Sequence, residues 1–384
     1  MDNSLAHLTL KKYRASLKPL TPTIVLGGTE GVVGRDVLIR QKDVCVIDME
    51  NLPSQVVLEI ANTEEHKIHE IFMKHRDALP CKLTSMNNIG ELDAGKRVKL
   101  PQEHVVPGST LKGYIRTALM YYMLTSNDIK RERFSEMIKK TIDSLKVEKL
   151  INASTPLEQY FFKRKRLEKQ KGEVDMLQNL HVSDPLAKES LSYSLEWLTV
   201  YNLSKRREVT KLTRLSSMAG IVLVGGNLRY EIKIVKARPS FEAPEKSRQD
   251  LLGIIDKLNE LASIDLTASL RTFGCDLVDH ELSLIKDINE LRGYKRVLQS
   301  FKEKYCGASQ QNCVISRIGF MTGHIAKTID LYIKKQYPQM YEELKKSMSK
   351  RLHRKWNDST IKLVGPQNNL LGLGWCELCV EKSR

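Results

Sequence analysis

The chain has 384 residues, which is enough for two domains that each bury a hydrophobic core. Lys and Arg number 62 against 46 Asp and Glu, and the formal net charge of +16 indicates a polyanionic partner, nucleic acid before a membrane surface. The first residues lack a basic-then-apolar signal, and no apolar run approaches the roughly 18 residues of a membrane span. We therefore expect a cytoplasmic protein without a membrane partner.

The first 126 residues predict an α+β arrangement of strand, hairpin, helix, loop, strand and helix. DVLIRQKDVCVID predicts a hairpin with its turn at Gln41 to Asp43, and one or two helices follow between Leu52 and Leu79. The preceding stretch, IVLGGTEGVVGRD, is rich in glycine, which allows positive φ angles and leaves room for a ligand to approach the backbone closely. Its glycines are Gly27, Gly28, Gly31 and Gly34.

The stretch VVPGSTLKGYIR, at 105–116, predicts a strand end followed by a helix with Ser109 as its N-cap. Lys112 and Arg116 are four residues apart near the helix start, where backbone amides favour an anion. A nucleotide P-loop is excluded because no hydroxyl follows Lys112 in register. The basic pair is either a solvated helix face or a site for the phosphates of a polymer.

Residues 127–215 predict a basic helical insertion. Tyr160, Phe161 and Phe162 precede the basic run KRKR, where aromatic rings can stack bases or anchor a helix. A second basic run at 204–214 precedes AGIVLVGGNLRYEIKIVKA, which predicts two strands joined by a turn at 225–227.

The remaining residues predict a further helical insertion at 247–304 and then ISRIGFMTGHIAKTI, a glycine loop between a strand and a helix. The basic helix YEELKKSMSKRLHRKW is a candidate contact surface, and LLGLGWCELCVE predicts a closing strand.

The cysteines have no spacing typical of a disulfide framework, so we expect reduced thiols. Cys376 and Cys379 form a single C-x-x-C without a second pair, and His66 and His69 lie three residues apart among charges. Both patterns are commoner without a metal ion, so no metal and no cofactor is assigned.

Four stretches in chain order resemble the RAMP proteins of CRISPR effector complexes, and they are most similar to the RAMP subunit that caps the backbone filament of the type III-A Csm complex. They are LTPTIVLGGTEGVVGRD with VCVID, VVPGSTLKGYIRTAL, ISRIGFMTGHIAKTI and LLGLGWCEL. The resemblance spans positions 20–378. It implies two RRM-like (ferredoxin-like) RAMP domains, at 1–126 and, in divergent form, at 216–384, with helical insertions at 127–215 and 247–304.

The resemblance also implies a non-catalytic subunit that binds the 3′ region of CRISPR RNA in antiviral defence. The implied partners are CRISPR RNA, target RNA, the backbone RAMP subunit and a small helical subunit. Thr110 stands where the family commonly has serine. Carried over position by position, the implied RNA-binding residues are Gly27, Gly28, Ser109, Thr110, Lys112, Arg116, Arg317, Gly319, Gly323 and Lys327.

Two other functions stay open. Some RAMP proteins cut CRISPR RNA precursors without a metal, and His181 and His324 are the candidate general bases for such a ribonuclease. Asp93, in GELDAGKR, is placed like the loop aspartate with which backbone RAMP subunits cut target RNA, and nothing distinguishes it from a turn residue. A basic protein of ribosome or tRNA metabolism would explain the charge but none of the four stretches.

Overall fold

The computed structural model describes residues 9–103, 105–126, 128–146, 161, 163–165, 173–206, 209–235, 262–307, 312–351, 353, 360–366 and 368–383. The strands are β1 (Thr9–Pro19), β2 (Leu26–Val32), β3 (Val37–Ile39), β4 (Asp43–Ile47), β5 (Cys81–Asn87), β6 (Arg97–Pro101), β7 (Lys163–Lys165), β8 (Glu173–Asp175), β9 (Leu180–Val182), β10 (Ala187–Arg206), β11 (Val209–Val235), β12 (Cys313–Arg317), β13 (Thr360–Val364), β14 (Leu371–Gly372) and β15 (Trp375–Lys382). The helices are α1 (Ser54–Ala61), α2 (Ile68–Lys74), α3 (Gly108–Ser126), α4 (Asp128–Lys146), α5 (Leu266–Leu284), α6 (Arg292–Cys306), α7 (Asp330–Gln336) and α8 (Pro338–Arg351).

Most strands belong to one large mixed sheet in which the first and the last strands are neighbours. Its main path runs β12-β15-β1-β11-β10-β5-β4-β3. On β1, buried Tyr13, Ala15 and Leu17 alternate with more exposed residues, as one face of a strand requires. Ala15 lies opposite Tyr230 of β11 on one side and Val380 of β15 on the other. The sheet therefore places the first strand between β11 and the last strand. The domain boundaries predicted at residues 126 and 215 stay a prediction.

The strands β10 and β11 form one long antiparallel hairpin that begins within the predicted helical insertion and continues into the predicted strands after residue 215. Arg206 pairs with Val209 next to the hairpin tip. The helical prediction for 127–215 is confirmed by α4 but is wrong for most of the described residues after it, which form β7, β8, β9, β10 and the first part of β11. The segment 187–206 is a strand because it pairs with β5, β11 and β13. Tertiary pairing outweighs local helical preference there.

The predicted turn at 225–227 is wrong, because these residues form an irregularity within β11. The register between β10 and β11 shifts on either side of Ser192. Gly226 has a φ of 110°, and a Cβ on Gly225 would lie 2.4 Å from the Ser192 hydroxyl oxygen. A bulge needs glycine for the same reasons as a turn, so the local pattern does not separate the two.

Helices α3, α5 and α6 pack with β1, β11, β12 and β15 around the largest core. On α6, Tyr294, Leu298, Phe301 and Tyr305 are buried at helical spacing. The helices predicted within 247–304 are confirmed by α5 and α6, while 247–261 lies outside the described residues. None of the described helices has the length and hydropathy needed to cross a membrane.

The prediction of reduced thiols is wrong, because six of the seven cysteines are paired. The disulfides join β4 to β5, α5 to α6 and β12 to β15. The paired residues are 31 to 66 positions apart, and it is the packing of these elements that brings them together. The pairs are Cys45–Cys81, Cys275–Cys306 and Cys313–Cys379.

Candidate functional site

The first and the last of the four sequence stretches lie against each other. The amides of Leu20 and Thr21 donate to the Trp375 carbonyl at 2.8 and 3.0 Å, and the Trp375 amide donates to the Thr21 hydroxyl at 3.0 Å. The Gly374 amide donates to the Pro22 carbonyl at 3.0 Å. The early T-P motif thus anchors the closing strand through its backbone and one hydroxyl.

The late glycine loop is held between these two stretches. The Ile318 amide donates to the Gly374 carbonyl at 2.7 Å, and the Phe320 amide donates to the Ile24 carbonyl at 2.6 Å. Gly319 has a φ of 113°, and a Cβ there would lie 2.5 Å from the Ile24 carbonyl oxygen. Only glycine fits this conformation and this close approach, so Gly319 is explained by packing.

Helix α3 contacts the same group of segments. The Thr117 hydroxyl lies 3.3 Å from the Lys327 carbonyl, to which it donates, and 3.2 Å from the carbonyl of Gly113. All four stretches therefore meet, although they are spread over most of the chain. We call this region, formed by residues 20–28, 105–119, 315–329 and 370–378, the motif junction.

The start of α3 is capped by a residue that the local sequence does not indicate. The Gly108 amide donates to Asp184 Oδ1 at 2.9 Å, and the helix begins at Gly108. The prediction of Ser109 as N-cap is therefore wrong, since Ser109 lies within the first turn and is exposed. A Cβ on Gly108 would lie 2.2 Å from the Ser183 carbonyl oxygen, which explains the glycine. The connection between β9 and β10 thus occupies this part of the helix start.

Lys112 and Arg116 are half-buried on α3, and Thr110 is half-buried beside the exposed Ser109. Desolvation lowers the pKa of His181 on β9, and the charges of Lys112 and Lys233 lower it further. The two lysines therefore create positive potential at an exposed imidazole. A surface of this kind favours a phosphate over a cation.

Lys327 belongs to the turn that precedes α7, and not to a helix as predicted, because α7 begins at Asp330. The residue is exposed, yet partial desolvation of its ammonium group lowers the pKa of Lys327. Its carbonyl binds Thr117, so the motif junction holds its backbone next to α3. Lys327 thus adds a cation to the motif junction.

Arg317 lies in the protein interior. Its side chain is 7% exposed, Nη1 lies 2.6 Å from Glu281 Oε2, and the guanidinium group lies 5.0 Å from the Trp375 ring centroid. Burial alone would raise the pKa of Glu281, but the charge and hydrogen bond of Arg317, together with the hydrogen bond from Tyr294 and the charge of His280, hold the pKa below its usual value. Arg317 is therefore placed to stabilise the junction and is removed from our set of proposed RNA contacts.

Two of the three remaining predicted glycines present open backbone. Gly28 and Gly323 each have a φ of 85°, and within the described part of the chain no heavy atom outside their immediate neighbours lies within 4 Å of the position of a Cβ. At Gly27 a Cβ would lie 3.3 Å from the Cα of Gln102. A ligand can thus reach the backbone at Gly28 and Gly323.

Three cations outside the predicted site line a cleft next to Gly28. Arg35, Arg97 and Lys99 surround a cavity of about 530 Å³ beside β2 and β6. Glu30 accepts hydrogen bonds from Arg97 at 3.3 Å and from Lys99. Arg97 and Lys99 share a face of β6 because alternate residues of a strand point the same way. The spacing R-V-K was visible in the sequence, but the strand had first to be placed beside β2.

No protein-family model and no curated protein matches the sequence. Two solved structures match it over nearly the full length of both chains. A chain of the cryo-EM structure of the Csm-crRNA-target RNA ternary complex of a type III-A CRISPR-Cas system aligns with a TM-score of 0.59 and 15% identity, covering 97% of this chain and 100% of that one. The crystal structure of T. onnurineus Csm5 aligns with a TM-score of 0.57 and 16% identity, covering 94% and 99%. This chain has a Csm5-like fold.

The Csm5-like fold confirms the mixed α and β architecture that the resemblance to RAMP proteins implies, with a large mixed sheet and several helices. At the motif junction this chain brings together the four stretches that carry the resemblance, apart from VCVID, which lies outside it. The sequence identities of 15% and 16% leave the roles of individual residues to be argued from this chain itself.

The candidate general bases lie in different surroundings. His181 is exposed beside Lys112, whereas His324 is half-buried with Nε2 at 3.2 Å from the Tyr341 hydroxyl. Asp93 is exposed, and its carbonyl accepts the Lys96 amide at 3.2 Å, as in an ordinary turn. His181 alone combines an accessible imidazole with a neighbouring lysine charge.

The candidate metal ligands have other partners. His66 Nε2 lies 3.5 Å from Glu64, and the His69 ring contacts the His66 carbonyl. Burial raises the pKa of Cys376 to about 12, and Cys379 is bonded to Cys313. The sulfur atoms of Cys313 and Cys379 and the carboxylate of Glu377 lie within 4.8 Å of one another. The disulfide takes up both thiols of this group.

The three basic segments noted in the sequence are each only partly described. Phe161 is buried with its ring centroid 5.6 Å from that of Phe134, which favours the helix-anchor interpretation for this residue. Tyr160 and Phe162 lie outside the described residues. On α8, Tyr341, Leu344 and Met348 are buried, so the basic helix packs through one face.

Proposed function

We propose that this chain is a non-catalytic, RNA-binding subunit of a type III-A CRISPR effector complex. In this function it binds the 3′ region of CRISPR RNA and caps the backbone filament in antiviral defence. Its partners are CRISPR RNA, target RNA, the backbone RAMP subunit and the small helical subunit. The observation that carries the proposal is the motif junction, where four family-like stretches meet within a Csm5-like fold.

The charges of the junction support RNA as the ligand. Lys112, Arg116 and Lys327 supply cations within the motif junction, Gly323 of the same junction presents open backbone, and the whole chain has a formal net charge of +16. Each phosphate neutralised by a lysine or arginine releases counterions, which favours binding at low salt. Ser109 and Thr110 add hydroxyl donors at the first turn of α3.

The capping role is argued from the number of contact surfaces that a subunit needs. A subunit repeated along a filament needs two complementary surfaces, whereas a terminal subunit needs one. Helices α5 and α6 and the other helices packed around the largest core supply bulk that can cover the second surface.

The division of the chain into two RRM-like domains is also part of this proposal.

A second candidate function, a metal-independent ribonuclease, is favoured by one observation. His181 is accessible, its pKa is lowered by desolvation and by Lys112, and the neutral imidazole of such a residue can accept a proton at neutral pH. Incubation with CRISPR RNA precursor tests this function. Cleavage that is lost in His181→Ala would replace the non-catalytic proposal.

Co-expression with the other Csm subunits and a CRISPR array tests the proposed function. Native mass spectrometry of the purified complex should give one copy of this chain per complex. Ultraviolet crosslinking should join it to the 3′ part of the guide. Several copies per guide, or crosslinks confined to the 5′ part, would contradict the capping role.

A further inference from the structure

The cleft beside β2 and β6 has the size of a nucleotide site. Its volume is about 530 Å³, within the range of about 300–1,000 Å³ typical of small-molecule pockets. The cavity next to Arg317 and Glu281 has about 40 Å³, room for only a few water molecules. Of these two cavities, only the β2–β6 cleft can take an organic ligand.

The charged groups of the cleft supply both an acceptor and donors for a nucleotide. Arg97 is paired with Glu30 at 3.3 Å and Arg35 with Asp36 at 3.1 Å, and their side chains are 79% and 53% exposed. A guanidinium group has five N–H donors, so both arginines keep donors for a phosphate. Glu30 is 29% exposed and is held by Lys99 on Oε1 and by Arg97 on Oε2. A carboxylate has about four acceptor positions, so each oxygen can accept a further hydrogen bond.

The uncharged wall of the cleft suits a flat base. Leu26 and Gly28, two positions apart on β2, line one part of the cavity, and Val32 lines it at the far end of the strand. Gly28 adopts a φ of 85° with open space where a Cβ would be, so a ring can lie directly on its backbone. Apolar contact beneath a base and polar contact at its edge is the way proteins read unstacked nucleotides.

We propose that the β2–β6 cleft binds one nucleotide of single-stranded RNA whose base carries an exocyclic amino group. Glu30 accepts a hydrogen bond from that amino group, and Arg97 and Arg35 bind the adjoining phosphate. A carboxylate accepts from the amino group of cytosine but repels the carbonyl at the same position of uracil. The inference rests on the proposed RNA-binding function and adds a base preference to it.

Binding of two oligonucleotides to the purified chain tests the inference. Fluorescently labelled rC8 and rU8 differ at the amino and carbonyl positions and have the same backbone. We expect rC8 to bind about 5- to 100-fold more tightly than rU8, the range that one good polar base contact provides. Glu30→Gln should reduce the preference to about twofold, because an amide can donate as well as accept.

Arg97→Gln is the companion variant, and it leaves the core untouched because the Arg97 side chain is largely exposed. It should weaken rC8 and rU8 equally and lower the salt slope by about 0.7, the loss of one phosphate contact. Lys139→Gln, an exposed position on α4, is the matched control and should change neither measurement.

The outcomes separate the two proposals. Binding of both oligonucleotides with equal affinity, or a cytosine preference that survives Glu30→Gln, would overturn the nucleotide site and leave the RNA-binding function in place. An unaltered salt slope in Arg97→Gln would also count against the site. If neither oligonucleotide bound, the proposed RNA-binding function would fall together with the inference.

Discussion

Arg317 Nη1 lies 2.6 Å from Glu281 Oε2, and the two side chains are 7% and 5% exposed. Glu281 also accepts a hydrogen bond from the Tyr294 hydroxyl at 3.1 Å, and that hydroxyl in turn accepts one from the Trp375 indole at 2.7 Å. Arg317, the last residue of β12 before the late glycine loop, is therefore buried with its positive charge paired with the negative charge of Glu281. This ion pair joins β12 to α5.

Arg317→Met should destabilise the protein by about 3–5 kcal/mol, because it leaves Glu281 buried without its charged partner. Urea unfolding followed by circular dichroism measures the change. The double variant Arg317→Met with Glu281→Leu should recover part of the loss, and Arg76→Met, at an exposed arginine, is the control. Wild-type stability with lost RNA binding in Arg317→Met would return Arg317 to the RNA contacts.

Lys112→Ala combined with Arg116→Ala should weaken single-stranded RNA binding and reduce the slope of log affinity against log salt by about 1.4, or about 0.7 for each phosphate contact. The melting temperature should stay nearly unchanged, because the apolar face of α3 is untouched. Fluorescence anisotropy over a salt series gives the slope. Lys139→Ala with Lys140→Ala, exposed on α4, is the charge-matched control. An equal loss in both double variants would point to non-specific charge.

Asp184→Ala should destabilise the protein by about 0.5–2 kcal/mol, because the first amide of α3 loses its capping carboxylate. Ser109→Ala should change stability far less, since Ser109 is exposed within the first turn. Thermal unfolding of both variants compares the two residues directly. If Ser109→Ala were the more damaging substitution, the capping assignment would have to be reversed.

Alkylation should find one free thiol in the unreduced, denatured protein, because six cysteines are paired. In the native protein at pH 8 that thiol should be inert, since Cys376 is buried and burial raises its pKa to about 12. Intact mass spectrometry after iodoacetamide treatment counts the labels, and peptide mapping locates them. Reduction before denaturation should expose all seven. Seven labels without reduction would show that the thiols are free, as the spacing alone predicts.

The local pattern of the sequence determined the elements whose signals lie within a few neighbouring residues. The hairpin of β3 and β4, helices α1 and α2 and the apolar face of α3 follow from turn residues and helical periodicity, and all are present. The four family-like stretches could be recognised for the same reason, since each is a short run of glycines, hydroxyls and cations. The net charge pointed to a polyanion without any knowledge of the fold.

Tertiary structure alone decided which of those residues face a ligand. The capping hydrogen bond at the start of α3 comes from the Asp184 side chain, 76 residues beyond Gly108. The Lys327 carbonyl that accepts from Thr117 is 210 residues away. Arg317 has the sequence context of an RNA contact but is buried, because Glu281 on α5 lies within reach. Arg97 and Lys99 become part of a cleft only because β6 pairs with β2. Such contacts depend on the free energy of packing distant segments together, which short-range patterns of residue type do not contain.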